Sequence, residues 1–132
     1  MQFTNSWLRP LNSMADIFVE NLNNLSIIRV SGVLTFDEFV SAVKEYYPYV
    51  TCNIIWDFSD SNLDDITTTQ LMKLPTIAKM YMIQRVSGKT AFVSPHTCTH
   101  RLLKTYVVIA ELSGIRFKSD VFIRLDEALQ WL

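Results

Sequence analysis

Apolar and polar positions change their spacing several times along the chain, and each change predicts an element. In "ADIFVENLNNLSIIRVS" (residues 15–31) two β-favouring runs flank Asn23-Asn24, residues that tolerate the left-handed backbone of a tight turn, so a hairpin is predicted. In "TFDEFVSAVKEYY" the spacing becomes helical. Phe36, Phe39, Val40, Val43 and Tyr47 share one face, Thr35 and Glu38 have capping-box spacing, and Pro48 stops the helix. "CNIIWDF" is a continuous apolar run of strand length, as a central strand covered on both faces requires, and its expected end is Asp57.

A second helical pattern places Leu71, Leu74, Ile77 or Ala78, and Tyr81 on one face. Pro75 removes a backbone donor from its interior and predicts a kink or two short pieces. "GKTAFVS" reads as a buried strand. After Pro95, "HTCTHRLLKTYVVIAELSG" is a helix with Leu103, Tyr106, Val107 and Ala110 in register, Thr97 or Thr99 as cap, and Gly114 as C-cap. "IRFK" is expected to form the last strand. "RLDEALQWL" closes the chain as a helix with Asp126 as N-cap and Leu125, Ala128, Leu129 and Leu132 on one stripe. The order β-β-α-β-α-β-α-β-α, alternating after the first hairpin, predicts parallel strands joined by right-handed crossovers with helices covering the sheet.

At 132 residues the chain suits one domain, here residues 15–132 preceded by an N-terminal arm, residues 1–14. The arm carries Phe3, Trp7, Leu8 and Leu11, too apolar to sit alone in water and too short to fold alone, so it packs across its own sheet or reaches a second subunit; a homodimer is the favoured expectation. A formal charge of −1 gives no bulk attraction to nucleic acid, and none is expected as partner. Cys52 and Cys98 are too few and too irregularly spaced for a disulfide scaffold or a four-ligand zinc site, which suits reduced thiols in a cytoplasm. The first residues lack the long apolar core of a signal peptide, no run reaches membrane-spanning length, and no membrane insertion is expected.

From about Ala15 to Leu132 the chain resembles the SpoIIAA-like, or STAS, domains of the bacterial SpoIIAA-like branch. The resemblance rests on the opening hairpin, on Gly32-Val33-Leu34-Thr35-Phe36-Asp37-Glu38-Phe39 against a "G-x-[LF]-T-x-x-[DE]-[FL]" step, on the strand "GKTAFVS", and on the ending "DEALQWL". It implies an α/β fold with a mixed, mostly parallel sheet of about five strands, an opening β-hairpin and four helices. In anti-anti-sigma members of that family the strand equivalent to "IIWDF" leads to an Asp-Ser-Ser/Thr-Gly step whose hydroxyl accepts phosphate. Counting on from Asp57 without a gap puts Asp65 on the family's Asp, Ile66 on the acceptor and Thr67 one place beyond. The acceptor position therefore has no hydroxyl, and a phosphoswitch of the usual kind is not expected.

Other candidate chemistry is sparse. Asp57, Asp60, Asp64 and Asp65 suggest an acidic pocket at a strand end, where open α/β sheets bind ligands, although Asp and Ser in such stretches more often form turns and caps. His96 and His100, four apart with Cys98 between, could share a metal, but no third ligand is identifiable and no metal or other cofactor is expected. Asp57, Ser59, Ser94 and His96 follow two strands expected to be parallel and could line one crevice. Together with Asp65 and Thr67 they are the candidate interaction or ligand residues. The function expected is a non-catalytic protein-interaction or regulatory module with an unidentified protein partner. The alternative is a carrier of a small apolar ligand or lipid, suggested by Met72, Met80, Tyr81, Met82 and Phe92.

Overall fold

The structure, a computed structural model, describes residues 15–132; the N-terminal arm and the dimer expectation attached to it lie outside the described residues. Strands β1 (Asp16–Leu22) and β2 (Leu25–Val33) form the opening hairpin, turning at Asn24 with φ 60°, the left-handed conformation that its sequence suits. Helix α1 (Phe36–Tyr46) begins with the predicted capping box: the Glu38 N–H donates to Thr35 Oγ1 and the Thr35 N–H donates to Glu38 Oε1. A 3-10 turn at Tyr47–Tyr49 holds Pro48 and leads to β3 (Asn53–Asn62).

Pro75 divides the next helix as expected. The pieces are α2 (Thr68–Leu71) and α3 (Leu74–Tyr81), with the proline in the first turn of the second, where its missing N–H costs nothing. Then come β4 (Thr90–Val93), α4 (Thr97–Leu112), β5 (Ser119–Phe122) and α5 (Leu125–Trp131). The strands lie in chain order, β1 to β5; the hairpin is antiparallel and every later pair parallel. This is the mostly parallel arrangement of five strands and four helices, with an opening hairpin, that was expected from the sequence, the second helix being in two pieces.

Helices α1, α3 and α4 cover one face of the sheet, where Phe39, Val43, Leu74, Leu103 and Tyr106 meet Ile28, Ile54, Trp56, Phe58 and Phe92. Burying such side chains contributes roughly 1.5–3 kcal/mol each. The opposite face has one covering helix among the described residues, α5, whose Ala128 packs with Ile27, Ile55, Ala91 and Val93. A helix about 10 Å wide cannot cover five strands spaced about 4.8 Å apart. Phe18 and Leu22 on β1 accordingly remain exposed.

Four sequence expectations are corrected. Strand β3 does not end at Asp57 but continues to Asn62, because a register shift beyond that residue lets Asp60, Ser61 and Asn62 pair with Ser31, Gly32 and Val33. The last strand is Ser119–Phe122, not "IRFK": the Phe117 ring is in contact with the guanidinium groups of Arg85 at 4.3 Å and Arg116 at 4.8 Å and lies outside the ladder. Helix α5 takes Arg124 as N-cap, and Asp126 sits in its first turn, paired with Arg124 at 3.0 Å; Trp131 packs inward while Leu129 is exposed. The cap of α4 is His96 with no side-chain hydrogen bond, because the Thr99 hydroxyl turns inward to the backbone of Leu63.

Arg85 fixes the crossover between α3 and β4. Its Nε donates to the Cys52 carbonyl at 2.7 Å and its Nη1 to Thr90 Oγ1 at 2.9 Å, while burial lowers its pKa. Beside it, Gly88 has φ +106°, and a Cβ there would lie 2.4 Å from the Cys52 carbonyl carbon. Gly88→Ala is therefore expected to destabilise the protein by about 2–4 kcal/mol in urea unfolding, the combined cost of backbone strain and overpacking. Burial also raises the phenol pKa of Tyr47 and Tyr106. Their stabilising effect is full below the unfolded tyrosine value, about 10, and is lost as pH rises above it, because only the unfolded chain releases these protons readily. Urea midpoints should hold level up to about pH 9.5 and fall steadily beyond it.

Candidate functional site

The candidate residues lie where β3 and β4 leave the sheet, but they divide between its two faces. Asp57 is within the ladder, paired with Arg29 on β2 and Val93 on β4. Its Oδ1 accepts from both the Ser59 N–H and the Ser59 hydroxyl, closing a local turn at the register shift. Its Oδ2 lies 4.0 Å from Arg29 Nε, and Arg29 Nη2 is 3.5 Å from Glu20, so an ion row crosses three strands. With Arg29 half-exposed the row contributes only a few tenths of a kcal/mol, roughly. Asp57 and Ser59 are thus bound to each other and to the sheet.

Beyond Asn62 the chain turns sharply. The Asp64 N–H donates to Asn62 Oδ1 at 3.1 Å, the Ile66 N–H donates to the Leu63 carbonyl at 3.0 Å, and the Leu63 N–H donates to Thr99 Oγ1 of α4 at 3.1 Å. Ile66 is 5% exposed and belongs to the core, so the position counted onto a phosphoacceptor from the sequence resemblance is an apolar anchor. Thr67 follows as N-cap of α2. Its Oγ1 accepts from the Gln70 N–H at 3.1 Å, and its own N–H donates to Gln70 Oε1 at 3.0 Å, a second capping box that the sequence reading did not identify. The T-x-x-Q spacing was the signal that could have found it. Asp64, Asp65, Thr67, Thr68 and Thr69 all face solvent around this cap.

At the β4 exit, Ser94 is fully buried; its N–H donates to the Phe122 carbonyl at 2.9 Å, and its Oγ accepts from the His96 N–H at 3.3 Å. His100 Nδ1 lies 3.4 Å from the Ser94 carbonyl. His96 lines an open cavity of about 290 Å³ with Asn62, Asp64 and Cys98, while Ser94 lines a separate one of about 370 Å³ with His100, Arg101 and Lys104. Neither reaches Asp57 or Ser59. No group of three His, Cys, Asp or Glu side chains among the described residues is placed to hold a metal ion. The geometry provides caps, turns and an exposed polar rim, with each candidate hydroxyl engaged in local structure. No helix among the described residues is long and apolar enough to cross a membrane.

No family model matches the chain, and no curated protein matches it. Solved structures do. Over 89% of its length the chain is similar to 92% of an anti-sigma factor antagonist from Mycobacterium paratuberculosis, at 17% identity and a TM-score of 0.47. Over 84% of its length it is similar to 86% of an antisigma-factor antagonist STAS domain from Rhodobacter sphaeroides, at 11% identity and a TM-score of 0.35.

Proposed function

We propose that the protein is a non-catalytic, regulatory interaction module that binds another protein through the exposed rim around α2, from Asp64 to Met72, and that it does so without phosphate on this rim. The observation that carries this reading is the burial of Ile66 directly before an exposed cap. The core holds the start of α2 in place from below, so Asp65, Thr67, Thr68 and Met72 are presented on a fixed turn. Met72 is 58% exposed and adds an adaptable apolar contact to an otherwise polar rim. Thr67 Oγ1 has a structural task as the acceptor of the cap, and Asp64 and Asp65 disfavour a further dianion nearby.

The carrier alternative has less support. Phe92 fills the core in an edge-to-face contact with Tyr106 at 5.6 Å, Tyr81 and Met82 pack against the same core, and Met72 and Met80 face solvent. These residues are divided between core and surface and do not converge on one cavity.

The rim is tested by Asp65→Lys combined with Met72→Glu, two exposed positions whose replacement leaves the cap intact. Capture from the cells that make the protein should lose the wild type's partner by about tenfold or more, as expected for central interface positions. Equal recovery would sink the assignment. Intact mass of the protein from the same cells should equal that of the unphosphorylated chain, and stoichiometric phosphate on Thr67, Thr68 or Thr69 would restore the switch.

A further inference from the structure

Charge is unevenly distributed along this chain. Residues 1–65 carry nine of the thirteen acidic side chains and three of the twelve basic ones, whereas residues 66–132 carry nine basic and four acidic. The acidic excess includes β1, β2 and α1, where residues 16–46 carry five acidic and two basic side chains; at the opposite edge of the sheet α4 to β5, residues 97–122, carry four basic and two acidic, the other basic residues of the second half lying mostly on and around α3 and the crossover to β4. Each end of the sheet also has a helix beside its edge strand, and each helix leaves a groove there.

At the β1 end the groove has a volume of about 230 Å³ and is lined by Ile17 of β1 with Asp37, Glu38, Ser41 and Glu45 of α1. Asp37, Ser41 and Glu45 stand one turn apart on a single exposed face. At the β5 end a groove of about 390 Å³ is lined by Glu111, Arg116, Lys118 and Trp131, among others, and the 370 Å³ cavity near the start of α4 adds His100, Arg101 and Lys104. On α4, the residues Arg101, Lys104, Val108 and Leu112 follow helical spacing down one side, and Val108 and Leu112 are 57% and 82% exposed. An exposed helix face carrying both charge and large apolar side chains marks a contact surface.

We propose that the α4/β5 end of one copy docks on the α1/β1 end of a second copy, head to tail, with Arg101 and Lys118 of one facing Asp37 and Glu45 of the other. The occupant is a second copy because the charge that complements each end lies at the other end of the same chain. Side chains make the contact, and the sheet does not continue through it. The Val121 N–H on edge strand β5 is already held by Asp120 Oδ1 at 2.8 Å, and Lys104 holds that carboxylate at 3.0 Å, which closes the edge to an incoming strand. The interface is heterologous, so copies form a ring or an open chain, not an isologous pair. It is also independent of the α2 rim, and a failure of either leaves the other standing.

Sedimentation of the full chain at about 0.02 M and about 0.5 M salt tests the proposal, since screening weakens contacts between exposed charges. Association is expected at the lower salt and should weaken about tenfold or more at the higher. Two variants, Arg101→Glu with Lys118→Glu and Asp37→Lys with Glu45→Lys, should each be monomeric alone and should associate when mixed, because each supplies the charge that the other now lacks. All four positions are exposed, and circular dichroism reports whether each variant folds; should a reversal unfold the chain, Arg101→Gln with Lys118→Gln takes its place and should weaken association at low salt. Monomers at every salt, association indifferent to salt, or reversed variants that stay apart when mixed would each overturn the proposal.

Discussion

The fold depends on β3 being buried from both sides. On one face Trp56 stacks parallel to Phe58 at 5.8 Å and meets Phe39 of α1 at 4.7 Å, and on the other Ile55 is fully covered below α5. An indole in that position needs an acceptor, and Tyr47 supplies one, its hydroxyl accepting from Trp56 Nε1 at 2.9 Å. This hydrogen bond explains why the chain after α1 does not simply turn away. The 3-10 turn at Tyr47–Tyr49 must end α1 in a place where the phenol reaches the centre of the sheet. Pro48, which ends the helix, thereby also positions the polar partner of the largest buried side chain.

Elements governed by local chemistry were legible in the sequence, and those governed by distant partners were not. The Asn23-Asn24 turn, the Thr35–Glu38 capping box and the division of a helix at Pro75 each depend on a few neighbouring residues, and each was readable from them. Asp57 looked like a strand end because charge follows an apolar run there. Nothing local reveals that β2 extends far enough to pair with Asp60–Asn62. "IRFK" alternates like a strand, but Phe117 is claimed by two arginines, one of them thirty-two residues earlier in the chain. Arg85 itself is the strongest departure from local rules. A buried arginine looks like a surface residue in sequence, and its burial is compensated by the distant Cys52 carbonyl, the Thr90 hydroxyl and the Phe117 ring.

The candidate site was legible in part for the same reason. That the candidate residues lie near strand exits and a helix start could be read from the sequence; their grouping could not. Asp57 and Ser94 follow or occupy neighbouring strands, yet side chains alternate across a sheet. Asp57 joins Arg29 on one face, whereas Ser94, one residue past Val93, turns away from the α5 side on which Val93 packs. A crevice inferred from strand ends alone misses this alternation. The capping role of Thr67, in contrast, needed only the spacing to Gln70.

Ile66 joins these observations. A side chain that lies between a strand exit and a helix cap can either face the core and hold the turn or face solvent and do chemistry, and here it does the first. It lines a small cavity with Leu63, Thr99 and Leu102, while Thr99 at the same place accepts the Leu63 N–H, so the turn is tied to α4 by one apolar contact and one hydrogen bond. A serine at position 66 would forfeit roughly 2–3 kcal/mol of burial. Presenting a hydroxyl to solvent from this position would therefore require rebuilding the turn as well as exchanging the residue. The same anchoring makes the rim beyond it a fixed surface.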